Sequence, residues 1–190
     1  MTVCGVVLAA GAGSRFEASG GDGPKPLATV DGIALVDRAL AVVVAAGFDE
    51  VVLVDGSTNL SDREAPGVTV LHNAAWSEGI ATSLQVAVAH ARAVGHEAIV
   101  VGLADQPGIT TDAWRAVAAA LPEPPVAVAT YGERRGNPVR LAASVWDLLP
   151  TTGDEGARSL MRERADLVRE VPCTGEPWDI DTVEDLERWS

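Results

Sequence analysis

Several features are scarce or missing in this sequence of 190 residues, and each absence excludes a class of protein. Only two cysteines occur, Cys4 and Cys173, and they stand in no metal-ligand spacing, so we interpret both as small buried hydrophobic side chains. No apolar run approaches the roughly 18 residues of a membrane span, and the apolar N-terminal stretch lacks the basic flank of a signal peptide. The sequence therefore predicts a soluble cytoplasmic protein without a membrane partner.

Basic residues are also scarce. The chain has 14 Lys and Arg against 27 Asp and Glu, which gives a formal net charge of −13. A broad nucleic-acid interface needs a basic face, so we expect no nucleic-acid partner. A small phosphate ligand is still allowed, because a few local cations, backbone amides or a metal ion are enough to bind it.

Aromatic residues make up 4% of the chain, whereas hydrophobic residues make up 47%, so Ala, Val and Leu must build the core. Val-rich segments alternate with Ala-rich helical segments, which predicts an α/β fold with a mostly parallel sheet between two helical layers. We expect one domain over residues 1–190. The predicted strands cover residues 3–9, 50–54, 68–71, 98–103, 126–130, 137–141 and 167–171; the predicted helices cover residues 34–46, 80–91, 110–121, 145–149, 157–164 and 182–189.

A glycine-rich segment follows the first predicted strand, at the sheet edge where such folds bind ligands. Its backbone N–H groups can cradle phosphates, and Arg15 and Lys25 add positive charge. The segment is not a P-loop, because G-x-x-x-x-G-K-[ST] is absent. It is not a dinucleotide fingerprint either, because Phe16 replaces the third glycine and residues 10–26 read as a loop without a helix.

Two carboxylates follow other predicted elements near the same edge. Asp105 comes directly after the strand at residues 98–103, and Asp181 precedes the last helix. Phosphoryl chemistry commonly uses Mg²⁺ held by one or two carboxylates and by substrate phosphates. We expect Asp105 and Asp181 to share one ion, with Asp179 as an outer neighbour, although a turn or helix-cap role explains each aspartate as well.

Three further stretches carry polar residues that suit binding. Asn73 is placed to hydrogen-bond a base or ribose, and Ser83 lies in the first turn of the next helix, where capping is the simpler explanation. Arg135 and Asn137 stand in the basic turn R-R-G-N-P, which surface solvation also explains. Arg158 follows G-D-E-G-A at a helix start, where an anion is favoured.

Together these strings resemble a known family. L-A-A-G-A-G-S-R-F followed by K-P-L is similar to the L-A-A-G-x-G-x-R-[MF]…K signature of Rossmann-like nucleotidyltransferases, of the nucleotide-diphospho-sugar transferase type. More narrowly, it resembles the MobA-like branch that contains the molybdenum cofactor cytidylyltransferases, although residues 17–24 are longer than in the family pattern. The resemblance implies nucleotide contacts from Leu8, Ala9, Ala10, Gly11, Gly13, Ser14, Arg15, Lys25, Asn73 and Ser83, metal ligands Asp105 and Asp181, and acceptor contacts from Arg135, Asn137 and Arg158.

The reaction that the resemblance implies is Mg²⁺-dependent transfer of CMP from CTP to molybdopterin, with Lys25, Arg15 and Asp105 as catalytic residues. Ala10 favours CTP, because L-A-A-G accompanies cytidylyl transfer in the family and L-A-G-G guanylyl transfer. A client molybdoenzyme is the implied protein partner. Guanylyl transfer, a sugar 1-phosphate acceptor and a non-catalytic nucleotide- or cofactor-binding role stay open, whereas Phe16 and the loop without a helix disfavour a nicotinamide oxidoreductase.

Overall fold

The computed structural model describes residues 2–189 and consists of strands, short 3₁₀ turns and six α-helices within that range. The strands are β1 (Val3–Leu8), β2 (Thr29–Val30), β3 (Ile33–Ala34), β4 (Glu50–Asp55), β5 (Val68–His72), β6 (Ala98–Leu103), β7 (Gly108–Ile109), β8 (Val126–Tyr131), β9 (Arg134–Ala142), β10 (Val168–Pro172) and β11 (Gly175–Glu176). The helices are α1 (Ser14–Ala18), α2 (Leu35–Ala46), α3 (Ile80–Val94), α4 (Thr111–Ala118), α5 (Ala157–Glu163) and α6 (Val183–Arg188).

A seven-stranded sheet in the order β10-β8-β9-β6-β1-β4-β5 forms the middle layer. All neighbouring pairs are parallel except those of β9, which runs antiparallel to both β6 and β8. The small ribbons β2-β3 and β7-β11 lie outside this sheet. The chain therefore has the α/β architecture with a mostly parallel sheet that the alternating pattern predicts.

Each face of the sheet is covered by helices, because the strands are apolar on both sides. On one face, α2 and α4 pack through side chains such as Val43 and Trp114, both at most 3% exposed. On the other face, α3, α5 and a 3₁₀ turn at Ala143–Leu148 contribute Leu84, Trp146 and Leu160. The two faces and the sheet make the three layers of the predicted sandwich.

The predicted elements are confirmed with small shifts of their ends. Gly47 ends α2 at a φ of 82°, and Thr110 and Thr182 cap α4 and α6. The segment predicted as helical at residues 145–149 is a 3₁₀ turn. The two-residue strands β2, β3, β7 and β11 were not predicted, because such short pairs have no periodicity of their own.

The loop at residues 10–26 differs from the prediction, because the five-residue helix α1 begins directly at Ser14. Gly13, at a φ of 67°, turns the chain into this helix. Phe16 is 2% exposed and packs with Ile180, so tertiary burial stabilises a helix that composition does not favour. Gly21 lets the chain close over that ring, since a Cβ there would lie 2.2 Å from Phe16 Cε1.

Within the described residues, no helix is both long enough and apolar enough to cross a membrane. The glycine-rich loop and the turn at Ala104–Asp105 follow the carboxyl ends of the parallel strands β1 and β6, and Asp55 is the last residue of the parallel strand β4. The fold therefore brings them to one edge of the sheet.

Candidate active site

The glycine-rich loop is held in place by the neighbouring strand β4 and the turn after it. Ala9 N donates to Val54 O at 2.9 Å, and Ser57 N donates to Ala10 O at 3.1 Å. Ser57 Oγ also donates to Gly11 O at 2.7 Å. Three bonds therefore fix the loop backbone without using the side chains that face its open side. Ser57 was not predicted, because nothing in the sequence joins it to a loop 46 residues earlier.

Lys25 is the single lysine of the sequence, and its stem lies against the glycine-rich loop. A Cβ on Gly13 would be 2.7 Å from Lys25 Cβ, which is closer than real contacts of this kind. Glycine at this position therefore allows the close approach as well as the positive φ. The side chain of Lys25 is 11% exposed, so its ammonium group is largely shielded from bulk water.

Lys25 joins the two carboxylates that the sequence singles out. Its Nζ donates to Asp105 Oδ2 at 2.6 Å and to Asp181 Oδ1 at 3.0 Å. Arg15 Nη1 adds a contact of 2.6 Å to Asp181 Oδ2. Burial alone would lower the pKa of Lys25, but Asp105 and Asp181 outweigh it and raise the pKa above its usual value, so the lysine stays charged. The four predicted residues thus form one charge cluster.

This cluster fits a divalent cation. Asp105 and Asp181 both contact the ammonium group of Lys25, so the two carboxylates are close enough to each other to bind one metal ion between them. Asp105 Oδ1 is buried and has no hydrogen-bond partner among the described residues, which leaves one oxygen of the pair available. The predicted ligands Asp105 and Asp181 are therefore the residues that could hold Mg²⁺.

A cavity of about 460 Å³ opens beside the loop on one side of the charge cluster. Its wall includes most of the predicted nucleotide residues, together with residues of the turn before α3. Asp154, on the loop before α5, also lines it. The predicted nucleotide residues in the wall are Leu8, Ala9, Ala10, Gly11, Gly13, Ser14, Arg15, Lys25 and Ser83.

Asn73 lies behind this wall rather than in it. It is 2% exposed, and its Nδ2 donates to Thr82 Oγ1 at 2.8 Å and to Ser83 Oγ at 2.9 Å. Its Oδ1 accepts from Ala75 N at 3.0 Å. The structure therefore places Asn73 where it orients Ser83 of the cavity wall, and its contact with the base or ribose stays a prediction. Both Nδ2 hydrogens and one acceptor site of Oδ1 are thus engaged within the protein.

A second cavity, of about 950 Å³, lies on the other side of the cluster and shares Arg15, Asp105 and Asp181 with the first. Its wall contains all three predicted acceptor residues, Arg135, Asn137 and Arg158. Two more arginines that the sequence analysis did not assign, Arg134 and Arg162, also line it. With Arg15, five arginines therefore line this cavity together with five carboxylates, whereas the chain as a whole has 14 Lys and Arg against 27 Asp and Glu.

The rim and floor of the second cavity hold further residues that sequence reasoning missed. The guanidinium group of Arg134 lies 4.2 Å from the ring centroid of the exposed Trp178. Gln106, which is 6% exposed, hydrogen-bonds to Asp179 and to Asn137. Partial burial, together with the nearby Asp105 and Asp181, raises the pKa of Asp179. The sequence offered one signal that Gln106 belongs to the site, because it directly follows the candidate metal ligand Asp105.

Another group of potential metal ligands lies at the opposite end of the sheet. Ligand atoms of Cys4, Glu50 and His96 lie within 4.8 Å of one another. Glu50 is already hydrogen-bonded to His96, His90 and Thr69. Burial raises the pKa of the Cys4 thiol to about 12, so it stays protonated. Because Cys4 and Glu50 are near the starts of β1 and β4, this group has no bearing on the ion expected at Asp105.

The fold and the site together define a class of protein. A mostly parallel sheet carries a glycine-rich loop after β1, with one lysine bonded to two carboxylates between two cavities, an arrangement that suits the transfer of a phosphate-bearing group. Residues 5–168 match the MobA-like NTP transferase domain family. The chain belongs to this family and is a nucleotidyltransferase by class.

Similar proteins of known sequence or structure cover nearly the whole chain. "Nicotine blue oxidoreductase" of Paenarthrobacter nicotinovorans is 34% identical over 98% of this chain and 95% of its own length. The Mycobacterium tuberculosis H37Rv protein Rv0371c has a crystal structure with a TM-score of 0.82 and 30% identity, covering 99% of this chain and 97% of that one. A structure of Rv0371c in complex with manganese has also been solved. A Methanothermobacter nucleotidyl transferase, 22% identical, has the same fold with a TM-score of 0.81, over 98% of this chain and 95% of that one.

Proposed function

We propose that this protein transfers CMP from CTP to a phosphate-bearing acceptor, with molybdopterin as the first acceptor to test, and releases pyrophosphate. The observation that carries the proposal is the position of Lys25. It bonds to Asp105 and Asp181 at the junction of a cavity lined by the glycine-rich loop and a second cavity lined by arginines. A nucleotide in the first cavity and an acceptor in the second would meet at these charges.

In the proposed reaction, an oxygen of the acceptor phosphate attacks the α-phosphorus of the nucleotide. One P–O bond forms and the bond to pyrophosphate breaks, so atoms and charge balance without a redox partner. The acceptor phosphate is already ionised near neutral pH, and no general base is needed. Catalysis then consists of alignment by the two cavities and stabilisation of the leaving pyrophosphate by Lys25 and Arg15.

A divalent cation fits this scheme. Asp105 and Asp181 would hold it, and when bound it neutralises charge on the phosphates. The unpartnered Asp105 Oδ1 supports this role, and so does the manganese complex of Rv0371c, which is a finding about that protein. Mg²⁺ is the ion we propose, since it is the usual partner of nucleoside triphosphates.

The choice of CTP rests on Ala10 and on the family resemblance, and the choice of molybdopterin on the resemblance alone. Guanylyl transfer or a sugar 1-phosphate acceptor would use the same residues. Arg135 and Arg158 in the wall of the second cavity support an anionic acceptor of any of these kinds. Delivery of the product to a client molybdoenzyme completes the proposal.

A second candidate function is reduction of a planar dye by a nicotinamide nucleotide. It is favoured by the 34% identical relative, whose name describes an oxidoreductase. One argument against it is weakened by the structure, because a short helix does follow the glycine-rich loop. The other argument stands, since Phe16 occupies the third glycine position of the dinucleotide pattern and its ring is buried.

The identity of the product separates these functions. The protein is incubated with Mg²⁺, each NTP in turn and molybdopterin, and the products are identified by mass spectrometry. A parallel reaction contains NADH or NADPH with nicotine blue, and oxidation of the cofactor is followed by absorbance. We expect a CMP adduct and pyrophosphate, whereas turnover only in the second reaction would replace the proposal with the oxidoreductase function.

Variants of the charge cluster test the residue roles in the same assay. Lys25→Ala and Asp105→Ala should each lower turnover by roughly 10²- to 10³-fold, the usual loss when one group that stabilises developing charge is removed. Asp112→Ala, an exposed carboxylate on α4, is the matched control and should keep wild-type rates. Wild-type turnover in both cluster variants, with unfolding transitions unchanged, would overturn the assignment.

A further inference from the structure

Three side chains form a hydrogen-bonded chain along the floor of the second cavity. Gln106 Nε2 donates to Asp179 Oδ1 at 2.7 Å. Asn137 Nδ2 donates to Gln106 Oε1 at 2.9 Å. All three residues line the cavity, and they come from the turn after β6, from strand β9 and from the segment before α6. The proposed catalytic reaction assigns no role to Gln106 or Asp179.

The polarity of this chain is fixed at one end. A carboxylate offers only acceptors, so Gln106 must turn its NH₂ group toward Asp179. That rotation leaves Gln106 Oε1 toward Asn137, and Asn137 must then donate with Nδ2. The side-chain oxygen Oδ1 of Asn137 is consequently turned away from Gln106, and no group within residues 2–189 donates to it. The network therefore fixes which end of the amide is the acceptor, although the second Nδ2 hydrogen is not used by Gln106.

The backbone at Asn137 is also held. Tyr131 Oη donates to Asn137 O at 2.8 Å, which holds the backbone from which the Asn137 side chain projects. Gln106 is 6% exposed, which keeps water from competing for its hydrogen bonds. The chain is therefore a rigid support for the orientation of one amide group.

We propose that Asn137 determines acceptor specificity by presenting Oδ1 to the second cavity, so that the acceptor binds through a hydroxyl or N–H donor separate from its attacking phosphate. This inference rests on the proposed function. Gln106 and Asp179 are positioning residues in it, because they act through Asn137. Nearby Arg135 and Arg158 offer only donors and can bind an anionic group of the acceptor. A neutral amide oxygen adds selection for a donor group without repelling the phosphate.

Side-chain NMR tests the orientation without any substrate. In the ¹⁵N-labelled protein, the NH₂ signals of Asn137 and Gln106 are assigned from their loss in Asn137→Asp and Gln106→Glu. We expect both groups to show slow hydrogen exchange, and Asp179→Asn to speed exchange at Asn137, because an amide at position 179 no longer fixes the polarity. Gln85, which donates to Pro150 O outside the cavity, is the internal control and should not change.

A polarity-preserving double variant separates positioning from general structural loss. In Gln106→Glu with Asp179→Asn, the new amide donates to the new carboxylate, which still accepts from Asn137 Nδ2. With CTP, Mg²⁺ and molybdopterin, Asp179→Asn should raise the acceptor KM about tenfold, the effect of losing one well-formed hydrogen bond. The double variant should restore that KM, and in both variants kcat and the KM for CTP should change less than the acceptor KM does in Asp179→Asn.

The outcomes are distinct. Fast exchange of the Asn137 amide in the wild type would overturn the inference whatever the activity, and so would an acceptor KM in Asp179→Asn equal to that of the wild type. A double variant as defective as the single one would also overturn it. Absence of wild-type turnover with molybdopterin counts against the proposed function instead and leaves the NMR result to decide the orientation.

Discussion

Gly11 and Gly13 stand two residues apart in the same loop, but their surroundings differ. A Cβ on Gly11 would meet no atom within 4 Å, whereas one on Gly13 would lie 2.7 Å from Lys25 Cβ. Gly13 also has a φ of 67°, in the left-handed region. The first glycine therefore leaves open space at the cavity wall, and the second is required by the backbone.

Alanine substitutions distinguish the two glycines. Gly13→Ala should lower the free energy of unfolding by about 1–2 kcal/mol, because a non-glycine residue is strained at this φ and its Cβ displaces Lys25. Gly11→Ala should leave stability unchanged and weaken CTP binding, because its methyl group takes space beside the ligand. Urea unfolding and calorimetric CTP titration measure the two effects. Equal stability loss in both variants would contradict this difference.

Lys25 illustrates how one residue can connect distant parts of the chain. Its two carboxylate partners are 80 and 156 residues away in sequence. In the described structure, the ammonium group neutralises Asp105 and Asp181, which would otherwise repel each other. A bound cation and nucleotide would offer the carboxylates and the lysine new partners, so the same residues would serve both states.

At the scale of elements, the start of the short helix α6 also holds the backbone of Asp181, the candidate metal ligand that precedes it. Asp185 Oδ2 accepts from Asp181 N at 3.1 Å and from Thr182 N at 3.0 Å, and Thr182 Oγ1 accepts in return from Asp185 N at 3.2 Å. This capping box fixes the start of the helix and the backbone of the candidate metal ligand Asp181. The cap therefore supports the site as well as the helix.

Removal of the Asp185 cap should affect both the stability of helix α6 and the position of Asp181. Asp185→Ala should lower the free energy of unfolding by about 1 kcal/mol, the usual value of such a cap, and weaken Mn²⁺ binding severalfold. Glu184→Ala, at the neighbouring exposed carboxylate, is the control. Thermal unfolding and Mn²⁺ titration by electron paramagnetic resonance provide the measurements. If Mn²⁺ affinity were unchanged in Asp185→Ala, the cap would have no role in positioning Asp181.

At the scale of the whole molecule, Glu50 joins elements at the end of the sheet opposite the site. Its carboxylate hydrogen-bonds to Thr69 on β5, to His90 on α3 and to His96 before β6. Burial favours the neutral form, but the bonds from His96, Thr69 and His90 outweigh it and hold the pKa of Glu50 below its usual value. The charged form is therefore stabilised by folding.

This shift predicts a pH-dependent contribution to stability. Because the pKa is lower in the folded state, the stabilisation is present above the usual glutamate pKa and is lost as the pH falls through the folded-state value. Glu50→Gln should cost about 2 kcal/mol at pH 7, and the difference should shrink at about pH 3. Urea unfolding at both pH values measures it, with exposed Glu187→Gln as control. A difference that grew at low pH would contradict the assigned charge state.

The arginines of the second cavity are not evident from the acidic composition of the whole molecule. The formal net charge is −13, yet five arginines line that cavity together with five carboxylates, and Arg158 is among the arginines. Composition reports an average over the surface, whereas ligand binding depends on local charge. The composition left a phosphate ligand possible on this ground, and only the fold shows that these arginines share a wall.

Much of the fold could be predicted because its signals are local. Strands such as β1 and β6 are short apolar runs, and α2 and α3 have helical apolar stripes ended by Gly47 and Gly95. Helix α1 was missed because its stability comes from burial of Phe16 against distant residues rather than from helix propensity. The antiparallel direction of β9 was not predicted either, because local sequence patterns do not specify the direction in which a strand pairs.

The sequence by itself determined the alternation of strands and helices and the sheet edge where ligands bind, since hydrophobic periodicity and turn chemistry act over a few residues. Only the tertiary structure decided which polar side chains meet. It joined Lys25 to both aspartates, buried Asn73 behind the wall, and aligned Gln106 with Asn137 and Asp179. These contacts span many tens of residues in most cases, and they depend on how strands and loops dock, which no short pattern specifies.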